Sequence, residues 1–171
     1  MRKPKPNNRK LPSTGFSQEG AKAQIDSFLA KYDPEVEAFG RRALAKMRQF
    51  VPGAVEMVYD NYNWLVIGLG PTERPSEAIF SLVFPPGRVT LCFLQGAALP
   101  DPAERLRGSG NLVRNIRLYN AGEPDAKVFD DPEVRALINV ALHRAKVPMP
   151  AGARRKLVIR AVSAKQRPRR P

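Results

Sequence analysis

The sequence predicts an α+β domain: a single antiparallel sheet of about five strands packed against helices on one face, in the order α-α-β-β-β-β-β-α, with basic flexible termini. Three observations predict it. Apolar residues recur at helical spacing between Ile25 and Phe50 and again between Val134 and Ala141. Between those stretches they fall into short runs of period two. The links between the runs are of hairpin length, which suits antiparallel neighbours rather than parallel crossovers.

Ser17 suits the N-cap of a first helix running to about Lys31, with Ile25, Phe28, Leu29 and Tyr32 on one face. Asp33-Pro34-Glu35 starts a second helix, with Asp as N-cap, Pro at the first helical position and Glu near the positive end of the dipole. Val36, Phe39, Ala43, Leu44, Met47 and Phe50 form its inner stripe, and Pro52-Gly53 stops it. Five strands follow. In the first, Val55, Met57 and Tyr59 alternate with Glu56 and Val58; the next two cover Asn63 to Leu69 and Ala78 to Phe84. Pro86-Gly87 suits the middle of a type II turn into a fourth strand, Val89 to Leu94. Asp101-Pro102 opens a short helical turn to Leu106, and Leu112 to Tyr119 is the fifth strand. Asp131-Pro132-Glu133 opens the last helix, with Val134, Leu137, Ile138 and Ala141 inward and Pro148 and Pro150 ending it. The organisation expected is a basic arm over 1–15, a folded domain over 16–147 and a basic tail over 148–171. Within the tail, Leu157, Val158, Ile159 and Val162 suit either an edge strand or a docked segment, with disorder expected beyond Lys165.

The 171 residues carry a formal charge of +13, which by itself points to a phosphate-bearing partner. That charge is not spread evenly. Residues 1–15 hold five basic side chains and residues 141–171 hold ten, with no acid in either segment. All 16 acids lie between, so the middle is slightly acidic and the excess positive charge belongs to the ends.

Several classes are excluded. One cysteine, Cys92, makes no internal disulfide, and with one histidine, His143, there is no Cys/His set for a structural zinc. No apolar run approaches the roughly 18–20 residues of a membrane span. Met1 to Gly15 lacks the apolar core of a secretory signal, so the expectation is a cytoplasmic protein without a membrane partner. Gly68-x-Gly70 lacks the third glycine of a dinucleotide fingerprint, and Gly108-Ser109-Gly110 lacks the Lys-Ser/Thr of a phosphate loop.

The central motifs carry a resemblance. Asn61-Tyr62-Asn63, Gly68-Leu69-Gly70-Pro71-Thr72-Glu73-Arg74, Val89-Thr90-Leu91-Cys92-Phe93, Gln95-Gly96-Ala97-Ala98-Leu99-Pro100-Asp101-Pro102 and Gly108-Ser109-Gly110-Asn111-Leu112-Val113-Arg114 occur in that order. Together with the paired helices around Asp33-Pro34-Glu35-Val36, this resembles the YdhG-like family of domains of unknown function over about residues 20–146. The resemblance implies a compact α+β domain with an antiparallel sheet and packed helices. It implies little function; one bacterial branch is described as a frataxin-like iron chaperone. Where many members have Arg-His this chain has Arg114-Asn115, so a role for that imidazole does not carry over.

The ligand-binding candidates are Asn61, Tyr62, Glu73, Arg74 and Arg114. Asn61 and Tyr62, with Tyr59, Asn63 and Trp64, offer aromatic and amide groups that either line a concave site or pack in the core. Glu73-Arg74 lies in a loop between Pro71 and Pro75, and either binds a ligand or fixes the loop as an ion pair; Arg114 meets an anion or pairs with Glu73. Clustered acids of the first helices, from Glu19 to Glu37, are interleaved with Lys and Arg and read as a solvated face rather than a metal site. The nucleic-acid candidates are Arg154, Arg155, Lys156, Arg167, Arg169 and Arg170, with a solubilising tail as the alternative. No Phe, Tyr or Trp lies in 1–15 or 141–171, so these ends stack on no bases. No catalytic residue, metal site or cofactor is expected. The reading is a non-enzymatic binding or adaptor protein for an unknown protein or small ligand. The alternatives are non-specific nucleic-acid binding through the tails and a frataxin-like iron chaperone.

Overall fold

The computed structural model describes residues 17–125 and 127–171. The basic arm expected over 1–15 lies outside the described residues. Among those described, the chain runs α1 (Gln18–Leu29), α2 (Pro34–Phe50), β1 (Val55–Asp60), β2 (Leu65–Gly70), β3 (Phe80–Phe84), β4 (Arg88–Phe93), β5 (Arg114–Asn120), β6 (Glu123–Pro124), α3 (Pro132–Arg144) and β7 (Lys156–Val162). The class is α+β, and among the described residues no helix is long and apolar enough to cross a membrane.

The helix starts follow their cap chemistry. Ser17 accepts from the Gly20 N–H, and Asp131 accepts from the Glu133 N–H. Asp33 makes no side-chain cap bond; Pro34 at the first helical position and Glu35 and Glu37 in the first turn start α2 instead. Between β3 and β4, the Arg88 N–H donates to Pro85 O at 3.0 Å, and Gly87 takes φ +69°, as the tight turn requires. The short helical turn expected from Pro102 to Leu106 is a non-helical turn: the Asp101 carboxylate accepts from the N–H groups of Arg105 and Leu106, both at 2.8 Å, which ends the segment rather than propagating it. The fifth strand starts at Arg114 rather than Leu112, leaving Leu112 and Val113 exposed.

The sheet corrects the sequence reading. It has seven strands in the order β6-β5-β4-β3-β2-β1-β7, and it is mixed: β7 lies parallel to β1, while the other pairs are antiparallel. Of the two strands beyond the five expected, β6 was not foreseen, and β7 realises the edge-strand alternative for Leu157 to Val162. The segment β6 is a two-residue return against Tyr119 and Asn120. The strand β7 comes from the stretch read as a tail, and its period-two pattern places Leu157 and Ile159 in the core. Residues 148–171 therefore belong to the fold. The side-chain amide of Gln18 also fastens α1 to β7, donating to Leu157 O at 3.1 Å and accepting from the Leu157 N–H at 2.9 Å.

One buried cluster joins all three helices to a single face of the sheet. It contains Phe28, Leu44, Met47 and Ile138 from the helices and Val58, Ile67, Leu82, Leu91, Ile116 and Ile159 from the strands. Gly40 lets α2 approach this face, since a Cβ there would lie 2.4 Å from Phe84 Cε1. The register then defines the opposite face. Val158, Met57, Gly68, Ser81, Cys92 and Asn115 form one row across it, and Val66, Val83, Thr90 and Arg117 form the next, starting beside Tyr59.

Candidate functional site

The strand β1 exposes an inversion. Val58 faces the helices, so Glu56 and Asp60, two positions away on either side, face them too, and both carboxylates are fully buried. Buried charge requires a partner. Asp60 accepts from Lys31 Nζ at 2.5 Å and from Arg169 Nη2 at 2.7 Å. Glu56 takes a two-point contact from Arg48, at 2.7 and 2.8 Å, with Arg155 Nε at 3.4 Å. Each acid thus holds one cation from a helix region and one from the C-terminal segment.

Around Asp60 the last nine residues form a strap. Ser163 N–H and the Gln166 side-chain amide donate to Asp60 O at 2.9 and 3.1 Å, and the Arg167 N–H donates to Tyr62 O at 2.8 Å. Arg169 Nη2 also donates to Asn61 O at 2.5 Å. The Arg167 guanidinium lies 5.6 Å from the centre of the Tyr62 ring, a cation–π contact. Nearby, the Tyr32 hydroxyl donates to Phe84 O at 2.6 Å and accepts from the Leu65 N–H at 2.9 Å. Burial pushes this phenol up to about 12, against the pull of the Leu65 N–H and the Arg169 charge.

These contacts place the sequence candidates. Asn61 and Tyr62 lie at the Asp60 end of the sheet, and their carbonyls receive the strap. Glu73 lies at the other end, past Gly70, where it pairs with Lys156; that ammonium holds the carboxyl below its ordinary range. Arg74 pairs with Glu77 at 3.4 Å and is 79% exposed. Arg114, at the Glu73 end but five strand positions from Lys156, donates to Gly110 O at 2.5 Å and Val113 O at 2.9 Å within its own loop. The five residues do not meet, and two clefts of about 520 and 620 Å³ are lined by other residues. The tail candidates are mostly engaged. Arg155, Lys156, Arg169 and Arg170 pair with Glu56, Glu73, Asp60 and Asp33, and Arg167 covers Tyr62, leaving Arg154 without an ion pair among the described residues.

Sequence reasoning missed Lys31, Arg48, Glu56 and Asp60. The available signal was the pair of carboxylates four apart in an apolar strand, set against acid-free, cation-rich ends. Cys92, on the face away from the helices, is half-buried, and burial raises its thiol pKa, which makes it a poor nucleophile. Among the described residues no three His, Cys, Asp or Glu side chains gather as a metal site.

The helix-free face is the remaining broad feature. Its Val66, Val83, Thr90, Cys92 and Val158 are half-buried. Arg88 and Arg117 stand toward the β5 side and Lys156 and Arg160 on β7. Among the described residues, the strand acids Glu56 and Asp60 face the core, and Glu123 on β6, in register with Asn120 and Arg88, is the one strand carboxylate on this face, at its outer edge. Comparisons with family models, with curated proteins and with solved structures return no match.

Proposed function

We propose that this protein is a non-enzymatic binding or adaptor domain of the YdhG-like kind, and that it binds through the helix-free face of its sheet. One observation carries the reading. Half-buried apolar side chains run across that face between basic edges, while the candidate ligand residues are spent in separate local contacts. An antiparallel sheet open to water on one side normally alternates apolar-in with polar-out. Here Val66, Val83 and Val158 occupy outward positions instead, and an outward apolar patch marks an interaction surface.

The two other readings have less support. Binding of phosphates by the C-terminal cations would compete with the acids that already hold four of them. A frataxin-like iron chaperone would need a carboxylate or imidazole cluster, and the described residues gather none.

A photocrosslinking residue placed at Val83 tests the reading in living cells, with Lys46, exposed on α2, as the control position. Discrete adducts from position 83 that are absent from position 46 are expected. No adducts, or the same adducts from both positions, would overturn it.

A further inference from the structure

Resting on that binding face, we infer that its partner is a protein segment whose apolar anchors are flanked by carboxylates. The argument is charge complementarity around an apolar centre. Arg88, Arg117 and Arg160 border the valine strip from both sides, and none has an ion pair among the described residues. The undescribed residues, 1–16 and Ala126, contain no Asp or Glu, so no acid of this chain is left to neutralise them from there. Two carboxylates lie near this side: Glu123, two strands out from Arg88 on β6 and in no ion pair among the described residues, and Glu73, which Lys156 engages with Arg160 close enough to lower its pKa further. From β5 to β7 the face is five strand spacings wide, roughly 24 Å, which accommodates a helix about 10–12 Å across with acids on both flanks.

Other occupants fit less well. The chain's own first fifteen residues hold five cations and no acid, so they are repelled by this face. A second copy offers the same basic face. Single-stranded nucleic acid binds through stacked aromatics along a basic groove, but half-buried Val66, Val83 and Cys92 line the centre here, with one aromatic, Tyr59, beside Val66. Aliphatic side chains reward an apolar anchor rather than a base.

The test selects from an unbiased display library of short random peptides on the full chain, at physiological salt. Binding sites are then mapped by methyl NMR of Val66, Val83 and Val158. The expected result is a set of acid-rich peptides with apolar anchors that shift these methyls. Their affinity should fall about tenfold for Arg117→Glu combined with Arg160→Glu, both partly or fully exposed positions. Peptides that bind the face but are neutral or basic would overturn the partner chemistry and leave the binding face standing. Tighter binding of oligothymidylate on the same methyls, or concentration-dependent shifts without any peptide, would overturn it in favour of nucleic acid or a second copy. Peptides that bind only elsewhere, or none at all, would overturn the binding face itself.

Discussion

The two ends of β1 solve one problem with opposite allocations. Each end buries a carboxylate on the helix-facing side, and each carboxylate receives a cation from the N-terminal helices and one from the C-terminal segment. At Glu56 the helix does the holding: Arg48 makes the two-point contact, and Arg155 sits 3.4 Å away with 47% of its side chain exposed. At Asp60 the emphasis reverses. Lys31 makes one contact from the rim, while Arg169 is only 2% exposed and reaches Asp60, Asn61 and Tyr62 together. Whether an ion pair fastens a segment is decided by how deeply the partner is buried, because water replaces an exposed cation cheaply and a buried one not at all.

The largest effect should come from removing the buried partner. Arg169→Ala leaves Asp60 enclosed with one rim lysine, and breaking a buried pair costs about 3–5 kcal/mol. Urea denaturation should show that loss in midpoint, and hydrogen exchange should show residues 163–171 and the β1–β2 turn opening together. A loss below about 1 kcal/mol would mean that the strap is a surface feature. Arg48→Ala comes next. Its side chain is partly exposed, so water can reach Glu56 and the cost falls to about 1–3 kcal/mol, with residues 154–156 still paired.

A pH titration distinguishes the ends in another way, because only the Asp60 end contains Tyr32. The folded phenol titrates near 12 and the unfolded one near 10. The folded state therefore keeps a proton that the unfolded state releases above pH 10. Stability from this group is fully present below pH 10 and is lost as pH rises toward 12. Between pH 8 and 11 the loss should be about 1 kcal/mol. Tyr32→Phe, less stable at pH 8 because Phe84 O and Leu65 N–H lose their partner, should show a shallower alkaline slope. Equal slopes for the two proteins would remove Tyr32 from the account.

Much of the architecture was legible because it rests on local chemistry. Asp131-Pro132-Glu133, Pro86-Gly87 and the inner stripe of α2 each combine periodicity with a cap or turn residue, and each appears where it was expected. The parallel strand was harder, since its apolar residues are embedded among Arg154, Arg155, Lys156 and Arg160 and read as tail composition. The orientation of β1 was hidden for a related reason. Pattern alone favours Val55, Met57 and Tyr59 as the inward set, because their alternates include two acids. Cations about a hundred residues away, Arg155 near Glu56 and Arg169 near Asp60, neutralise the other set, and no local rule sees them. The candidate site failed on the same point: Asn61, Glu73 and Arg114 suggested convergence by type, but register sends them to different places on the sheet.

Arg155→Ala gives the smallest predicted effect and the sharpest test of the contrast with Arg169. Both residues belong to the C-terminal segment, and both face a carboxylate that is completely buried. If the buried acid alone set the cost, the two substitutions would be equally damaging. The position of the cation argues otherwise. Arg155 is half in water, stands at 3.4 Å, and shares Glu56 with an arginine that already occupies both carboxylate oxygens. Its loss leaves a paired acid, so the cost should stay below about 1 kcal/mol and shrink further in high salt. A double substitution with Arg48→Ala should then exceed the sum of the two singles, because the second cation becomes the sole partner once the first is gone. Strict additivity would mean that Arg155 does not interact with Glu56 in solution, and the symmetry between the two ends of β1 would be confined to Asp60.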